Sequence, residues 1–160
     1  MLVFLEIGSR RVIFCNATEH PDSAWMAQQA RNVAWELEEL KIPIKVLIHD
    51  RDSKFGSEFD AIFSTAGIRI ARTPFRSPRA NAACERVLGT LRRECLDWLI
   101  ILGERHLVQV LREYFDHYNR ARPHRALGLR PPEPQPIPDG GPIVRQQRLH
   151  GLINEYSRAA

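Results

Sequence analysis

Residues 44–55 read Ile-Lys-Val-Leu-Ile-His-Asp-Arg-Asp-Ser-Lys-Phe, and this segment is the strongest indication of the fold class. Its first five residues are apolar apart from Lys45, which predicts a buried strand over residues 44–48. The acidic residue Asp50 follows almost at once. In open α/β sheets, ligands bind at the carboxyl ends of the strands. Asp50 is therefore a candidate functional residue.

Strands and helices alternate on both sides of this segment. Apolar runs around Gly8 predict an antiparallel hairpin of residues 2–6 and 11–16. A further apolar run predicts a strand over residues 68–71. The helical spacing of apolar residues predicts four helices, over residues 25–40, 58–66, 81–102 and 105–120. Asp22 or Ser23 is expected to cap the first of them. This order predicts an α/β fold with one mixed sheet and helices packed on it.

Composition restricts the class of protein. The 160 residues are 44% hydrophobic and 26% charged, as is typical of a soluble globular domain. No apolar run approaches the roughly 20 residues that span a bilayer, so no membrane partner is expected. The three cysteines have no CxxC spacing, which argues against a disulfide framework or a zinc ribbon. A cytoplasmic location is therefore expected.

Positive charge is concentrated in one part of the chain. Residues 69–130 contain 13 arginines, no lysine and 6 acidic residues, a net charge of +7, whereas the whole chain carries +4. The planar guanidinium group suits contact with phosphate, so this stretch is a candidate nucleic-acid surface. The alternative is an ordinary solvated surface of an arginine-rich protein.

The composition changes near residue 130. Six prolines and two glycines fall within residues 131–142 and indicate an extended linker. We therefore predict a core over residues 1–130, a linker over 131–144 and a C-terminal tail over 145–160. Leu149, Leu152 and Ile153 suggest a short docked helix in that tail.

Glu85 is the second candidate acidic residue. It falls near the start of a predicted helix, 35 positions after Asp50, beside an apolar stripe that is expected to contain Cys84, Val87 and Leu88. Two such carboxylates could share a divalent cation, and hard oxygen ligands suit Mg²⁺ or Mn²⁺. The alternatives are that Asp50 forms a turn or caps a helix, and that Glu85 only complements a helix dipole.

Three segments resemble a known family when taken together. Residues 49–55 (HDRDSKF) resemble the HSDxGxxY-like segment of integrase-core transposases. Residues 81–94 (NAACERVLGTLRRE) resemble the NAxxERxxxTLKRE-like segment, and residues 118–128 (YNRARPHRALG) resemble the YNxxRPHxALG-like box of bacterial insertion-sequence transposases. The three segments occur in the family order. The chain thus resembles a DDE integrase or transposase catalytic core, and the resemblance implies an RNase H-like fold.

The resemblance also implies roles for individual residues. Asp50 and Glu85 would be the second and third catalytic, metal-binding acids. Arg92 stands where the family usually has a DNA-contacting lysine, and Asp52 is a weaker candidate because the family often has glycine there. The expected DNA-binding set is completed by neighbouring basic residues: Arg79, Arg86, Arg93, Arg122, His124 and Arg125. Arg122, His124 and Arg125 have a second interpretation as structural residues of the last box.

One departure from the family pattern concerns the beginning of the chain. Residues 4–12 (FLEIGSRRV) match the second strand of the family, which has an (I/L/V)DxxSR-like sequence. We therefore expect the first strand, with the first catalytic Asp, to be missing from this chain. Glu6 lies on the wrong strand to replace that residue, and we expect it to anchor a turn.

Two functions remain open at this point. The first is DNA integration or transposition by metal-dependent strand cleavage and transfer, on transposon ends and target DNA, in a homo-oligomer. The second is a catalytically inactive remnant that only binds DNA or oligomerises. Another RNase H-like nuclease is a third reading, which the YNxxRPH-like box disfavours.

Overall fold

A computed structural model describes residues 1–73 and 82–159 of the chain. Helices and strands both occur, so the predicted α/β class is confirmed. The strands are β1 (Leu2–Leu5), β2 (Val12–Asn16), β3 (Val46–His49), β4 (Arg69–Arg72), β5 (Ile143–Arg148) and β6 (Ile153–Arg158). The α-helices are α1 (Ser23–Glu39), α2 (Ser57–Thr65), α3 (Ala82–Glu94) and α4 (Glu104–Arg120).

The strands of the described residues pair in three separate two-stranded sheets. β1 and β2 form the predicted antiparallel hairpin, and β3 and β4 are parallel neighbours joined by the α2 crossover. β5 and β6 form a second antiparallel hairpin. The prediction of one mixed sheet is therefore not met, because no strand in the described ranges joins these pairs.

The chain divides into two compact units. The first contains Thr18–Glu85, and the second combines Leu2–Ala17 with the residues from Arg86 onward. This division does not test the boundaries at residues 130 and 144 that composition indicates, and these boundaries stay a prediction.

The first unit is built on α1 and α2. Asp22 caps α1, since its Oδ1 accepts a hydrogen bond from the Trp25 amide at 2.7 Å. One face of each helix is apolar and buried, and these two helices pack together. The buried side chains include Met26, Ala30, Val33, Leu37, Phe59 and Phe63. Gly67, with φ of 76°, follows α2 and allows the sharp return into β4.

The second unit has its own core, centred on α4. Val110, Leu111, Tyr114 and Phe115 of α4 are buried, together with Leu91 of α3. The side chain of Asn119 at the end of α4 pairs with β2: its Oδ1 accepts from the Val12 amide (2.9 Å) and its Nδ2 donates to the Val12 carbonyl (2.8 Å). The side-chain amide of Asn119 thus satisfies the N–H and C=O groups of Val12, which a neighbouring strand would otherwise satisfy.

The turn of the first hairpin is anchored by an acidic side chain. The Ser9 hydroxyl donates to Glu6 Oε2 at 2.5 Å, and the Glu6 amide donates to the Arg11 carbonyl. The prediction that Glu6 anchors a turn is therefore confirmed.

The predicted helix over residues 81–102 is too long. α3 ends at Glu94, and a single 3-10 turn (Leu96–Trp98) follows. Cys95 leaves the helical conformation (φ −136°), and the Trp98 indole N–H donates to the Arg93 carbonyl at 2.8 Å. Leu88, which was expected in the buried stripe, is exposed, and so is Trp98. Helical spacing continues through this break, so the pattern alone does not reveal it.

The C-terminal segment is a hairpin, and the predicted docked helix is wrong. Leu149, His150 and Gly151 have φ values of 49°, 54° and 94°, which a helix cannot contain. These residues instead form the turn between β5 and β6. Leu149 is buried at this turn.

The proline-rich residues 131–142 contain no helix or strand. Their first part nevertheless packs within the second unit, because the Glu133 amide donates to the Asn119 carbonyl (2.7 Å) and the Glu133 carboxylate pairs with Arg11. Whether this segment acts as a linker stays a prediction. No helix in residues 1–73 or 82–159 is both long and apolar enough to cross a membrane.

Candidate active site

Asp50 is exposed and follows β3 directly, as the sequence predicts. Its Oδ1 accepts a hydrogen bond from the Asp52 amide at 3.0 Å. This hydrogen bond is typical of a turn-forming Asp, which was the alternative to a metal-binding role for Asp50. It engages only one of the two carboxylate oxygens, so it is compatible with a ligand on the other.

Asp52, the weaker candidate, is more fully committed to the turn. Its Oδ1 accepts from the Lys54 amide at 3.0 Å, and its Oδ2 lies 3.4 Å from Lys54 Nζ. The backbone hydrogen bond from Lys54 is the main reason that the pKa of Asp52 is lowered. Both oxygens therefore have a local partner, which favours a structural role for Asp52.

A buried network fixes the backbone that carries Asp50. The His49 ring is almost fully buried, with Nδ1 2.6 Å from the Asp50 carbonyl oxygen and Nε2 2.9 Å from Asp60 Oδ1. The second oxygen of Asp60 accepts from Arg72 at 2.5 Å. His49 and Arg72 are direct partners in the parallel β3–β4 register. Hydrogen bonds thus connect the ends of β3 and β4 with α2, next to the turn that contains Asp50.

Sequence reasoning missed Asp60 and Arg72 in this role. Asp60 lies in the first turn of α2, where the helix dipole alone would explain an acid. No local motif reports its contact with His49, since the two residues are brought together by the β3–α2–β4 crossover.

Glu85 lies in the first turn of α3 and is exposed. Its neighbour Cys84 is half-buried, and burial, followed by the charge of Glu85, raises the pKa of the Cys84 thiol. Val87 is fully buried, so Glu85 lies beside the buried stripe as predicted. Asp50 and Glu85 fall in the same compact unit, Thr18–Glu85.

The donor chemistry of these two side chains fits a hard divalent cation. Both provide carboxylate oxygens at the protein surface, the ligand type that Mg²⁺ and Mn²⁺ prefer. In the parts of the chain that the structure describes, no three His, Cys, Asp or Glu side chains are close enough to hold one ion. The described residues therefore offer Asp50 and Glu85 as individual ligands and not as a three-ligand site.

Four predicted DNA-binding arginines are exposed. Arg86, Arg92 and Arg93 lie on α3, and Arg125 lies in the 3-10 turn Arg125–Leu127. The Arg92 side chain is 77% exposed, and its Nε lies 3.2 Å from Asp97 Oδ1. Such a weak surface pair leaves the guanidinium able to contact a phosphate. Arg79 lies outside the described residues.

Arg122 and His124 face the protein instead. Arg122 holds the Glu94 carboxylate with two hydrogen bonds, Nε to Oε2 (2.7 Å) and Nη2 to Oε1 (2.6 Å), and its guanidinium lies 5.7 Å from the Tyr118 ring centroid. His124 is buried, and its Nε2 lies 3.0 Å from the Tyr118 carbonyl oxygen. Of the two interpretations of these residues, this geometry favours the structural one.

The pKa values of this cluster follow from its contacts. Burial acts to raise the pKa of Glu94, but the hydrogen bonds and charge of Arg122 outweigh it and lower the pKa. Tyr114 donates its hydroxyl to Glu94 Oε2 at 3.0 Å, and burial together with Glu94 raises the pKa of Tyr114. Burial lowers the pKa of His124. Glu94 is therefore ionised and His124 neutral at neutral pH.

Part of the chain matches a known protein family. Residues 66–132 match the family described as "Integrase core domain". The matched stretch includes Glu85, the α3 arginines and the Arg122–His124 box. It does not include Asp50, so the role of Asp50 depends on the resemblance of residues 49–55 and on its position after β3.

The curated relatives point to the same family. The transposase InsD for insertion element IS2A/D/F/H/I/K of Escherichia coli is 33% identical over 86 residues, which are 54% of this chain and 26% of the relative. Transposase InsD for insertion element IS2-9 has the same identity over 25% of its length. A further InsD protein, of IS2E, is matched over 36% of its length. The chain thus spans about a quarter to a third of these relatives.

Proposed function

We propose, from the match of residues 66–132 to the integrase core domain family, that the protein takes part in DNA transposition or integration. The proposed reaction is metal-dependent cleavage and transfer of DNA strands. The observation that carries the proposal is the position of Glu85 in the matched segment, with the exposed Asp50 at the carboxyl end of β3 in the same unit.

The proposed roles follow from the chemistry of each side chain. Asp50 and Glu85 would hold Mg²⁺ or Mn²⁺ through carboxylate oxygens. A bound divalent ion would supply Lewis-acid activation of a phosphodiester and of the attacking hydroxyl. Arg92, two helical turns beyond Glu85 on α3, would bind a DNA phosphate through its guanidinium fork.

The other exposed arginines would hold the DNA backbone. Arg86, Arg93 and Arg125 are assigned to phosphate contacts, and Arg79 remains a candidate on sequence grounds alone. Arg122 is assigned to holding α3 against the last box and His124 to holding the box against the end of α4, because their side chains are engaged within the protein.

Wider features of the proposal come from the family resemblance. They are an RNase H-like fold, a homo-oligomeric assembly on paired DNA ends, and a cytoplasmic, nucleoid-associated location. The second candidate function is a remnant that binds DNA or oligomerises without catalysis. The absence of a three-ligand cluster among the described residues is the observation that keeps this alternative open.

The two functions are separated by measuring DNA binding and DNA nicking on the same preparation. Supercoiled plasmid and an end-labelled duplex are incubated with the protein in Mg²⁺, in Mn²⁺ and in EDTA. Strand transferase activity predicts nicked or joined products only when a divalent metal is present. Binding in EDTA with no product in either metal would establish the non-catalytic alternative.

A further inference from the structure

The C-terminal hairpin carries one face that is exposed and free of acidic residues. In the β5–β6 register, Ile143 pairs with Arg158, Arg145 with Tyr156, and Gln147 with Asn154. Directly paired residues share a face, so these six side chains form one surface, here called the outer face. All six residues are exposed, including Tyr156 at 68%.

The opposite face is attached to α4. Arg148 reaches Asp116 at 3.0 Å and Glu155 at 3.1 Å, and Glu155 also lies 2.9 Å from His117. At the turn, Leu149 is buried and its amide donates to Glu113 at 2.6 Å. Glu155, the one acidic residue of the two strands, therefore lies on the face opposite the outer face, where it pairs with Arg148 and His117.

This attachment makes the ribbon a rigid element. An isolated two-stranded hairpin is marginally stable in water. Here the ion pairs of Arg148 and Glu155 and the buried Leu149 hold it to a helix of the core. A surface that is already ordered loses less entropy on binding than a flexible tail does.

The residue types of the outer face match one class of partner. Arginine binds phosphate or guanine, glutamine and asparagine pair with adenine, and tyrosine stacks or contacts the backbone. Four of the six residues are arginine, glutamine or asparagine, and a fifth is Tyr156. The outer face carries two positive charges, from Arg145 and Arg158, and no negative one. We propose that the outer face of the β5–β6 hairpin is a duplex-DNA contact surface.

The dimensions of the ribbon suit this partner. Six residue pairs give a length of about 20 Å at about 3.3 Å per residue. The major groove of B-DNA is about 12 Å wide and admits a two-stranded ribbon. The inference rests on the proposed function in that the protein acts on DNA, but it concerns binding and requires neither a metal nor catalysis.

The test is the affinity of the full chain for a labelled 30-base-pair duplex, measured by fluorescence anisotropy in EDTA at several salt concentrations. The double substitution Arg145→Ala with Arg158→Ala is expected to weaken binding at least fivefold at low salt. It should also reduce the slope of log K against log salt by about 1.8, since each phosphate contact contributes about 0.9. Unchanged affinity and slope would overturn the proposal.

A matched control removes two arginines that already have carboxylate partners. Arg31 pairs with Glu58, and Arg120 pairs with Asp116 and Glu133. The double substitution Arg31→Ala with Arg120→Ala should change the affinity less than twofold. An equal loss of affinity in this control would mean that only net charge matters, and the outer face would have no special role.

A second pair of variants places one negative charge on either face. Gln147→Glu lies on the outer face and should weaken DNA binding at least threefold, whereas Ser157→Glu lies on the opposite face and should have a smaller effect. If these variants and the arginine variant instead disrupt self-association and leave DNA affinity intact, the face is a contact between copies and the proposal is wrong. Metal-dependent nicking is measured separately, so its absence would overturn the proposed catalysis without deciding the DNA contact.

Discussion

The guanidinium of Arg122 holds the carboxylate of Glu94 with two hydrogen bonds of 2.7 and 2.6 Å. Glu94 is the last residue of α3, and Arg122 follows the end of α4 by two residues. The pair thus connects the segment that carries Glu85 with the YNRARPH box. Two segments that resemble separate family motifs are therefore parts of one structural contact.

Arg122→Ala is expected to destabilise the protein. Loss of two charge-assisted hydrogen bonds to a half-buried carboxylate should lower the free energy of unfolding by about 1–3 kcal/mol. Urea denaturation followed by circular dichroism measures this change. Arg120→Ala, which removes only exposed ion pairs, is the control and should cost less than about 1 kcal/mol. An unchanged unfolding energy with a large loss of DNA affinity would instead assign Arg122 to the DNA surface.

Stability is expected to fall as the solution is acidified. The pKa of His124 is lowered from 6.5 by burial, so below that pH the unfolded chain binds a proton that the folded chain does not. The pKa of Glu94 is lowered from 4.5, because the hydrogen bonds and charge of Arg122 outweigh burial. Below that pH, too, the unfolded chain binds a proton that the folded chain does not. Because the unfolded state binds more protons in both windows, the free energy of unfolding decreases with decreasing pH.

Urea denaturation at a series of pH values from about 7 to about 4 tests this prediction. His124→Gln, which retains an amide donor for the Tyr118 carbonyl, should flatten the upper part of the profile, and Glu94→Gln the lower part. A stability that is constant or rises on acidification would contradict these assignments.

Asn119→Ala is expected to loosen β2. The substitution leaves the Val12 amide and carbonyl without the side-chain partners they now have, which should cost about 1–3 kcal/mol. Hydrogen exchange at the Val12 amide should accelerate with it. Asn119→Asp keeps an acceptor for the amide but loses the donor, so its effect should be intermediate. Unaltered exchange at Val12 in the alanine variant would show that the contact is not stabilising.

Much of the first unit could be predicted from the sequence, because its signals are local. Asp22 caps α1, Gly67 ends the α2 turn, and the apolar run at residues 44–48 gives a strand that ends next to Asp50. The contact of Asp60 with His49 could not be predicted, because it depends on how the crossover places α2 against β3. The same holds for Arg122, whose partner Glu94 is 28 positions away.

The C-terminal hairpin was missed for a different reason. Leu149, Leu152 and Ile153 have the spacing of a helical face, whereas residues 143–148 (IVRQQR) lack the apolar–polar alternation that would indicate a strand. The left-handed conformation is uncommon for a residue such as Leu149, and Gly151 is the local signal of a turn there. The break of α3 at Cys95 is invisible, since apolar spacing continues past it.

Asp60→Ala is expected to affect catalysis more than DNA binding. It removes the carboxylate that links His49 to Arg72, so the backbone under Asp50 loses its support. Metal-dependent nicking should fall at least tenfold, while duplex affinity in EDTA should change less than twofold. Arg31→Ala breaks an exposed ion pair elsewhere in the same unit and serves as the control. Equal nicking by Asp60→Ala and the wild-type protein would dismiss the supporting role of this network.

Asp50 and Glu85 are proposed to be the metal-binding acids of a DNA strand transferase. The initial rate of plasmid nicking in Mn²⁺ by the wild-type protein and by Asp50→Asn, Glu85→Gln and Asp52→Asn tests this claim. The third variant is matched to the first, because Asp52 lies in the same turn and has Lys54 as partner for both oxygens. We predict at least a hundredfold loss for Asp50→Asn and Glu85→Gln and less than a fivefold loss for Asp52→Asn. Wild-type nicking that survives in Asp50→Asn and Glu85→Gln, or that is lost equally in Asp52→Asn, would contradict the claim.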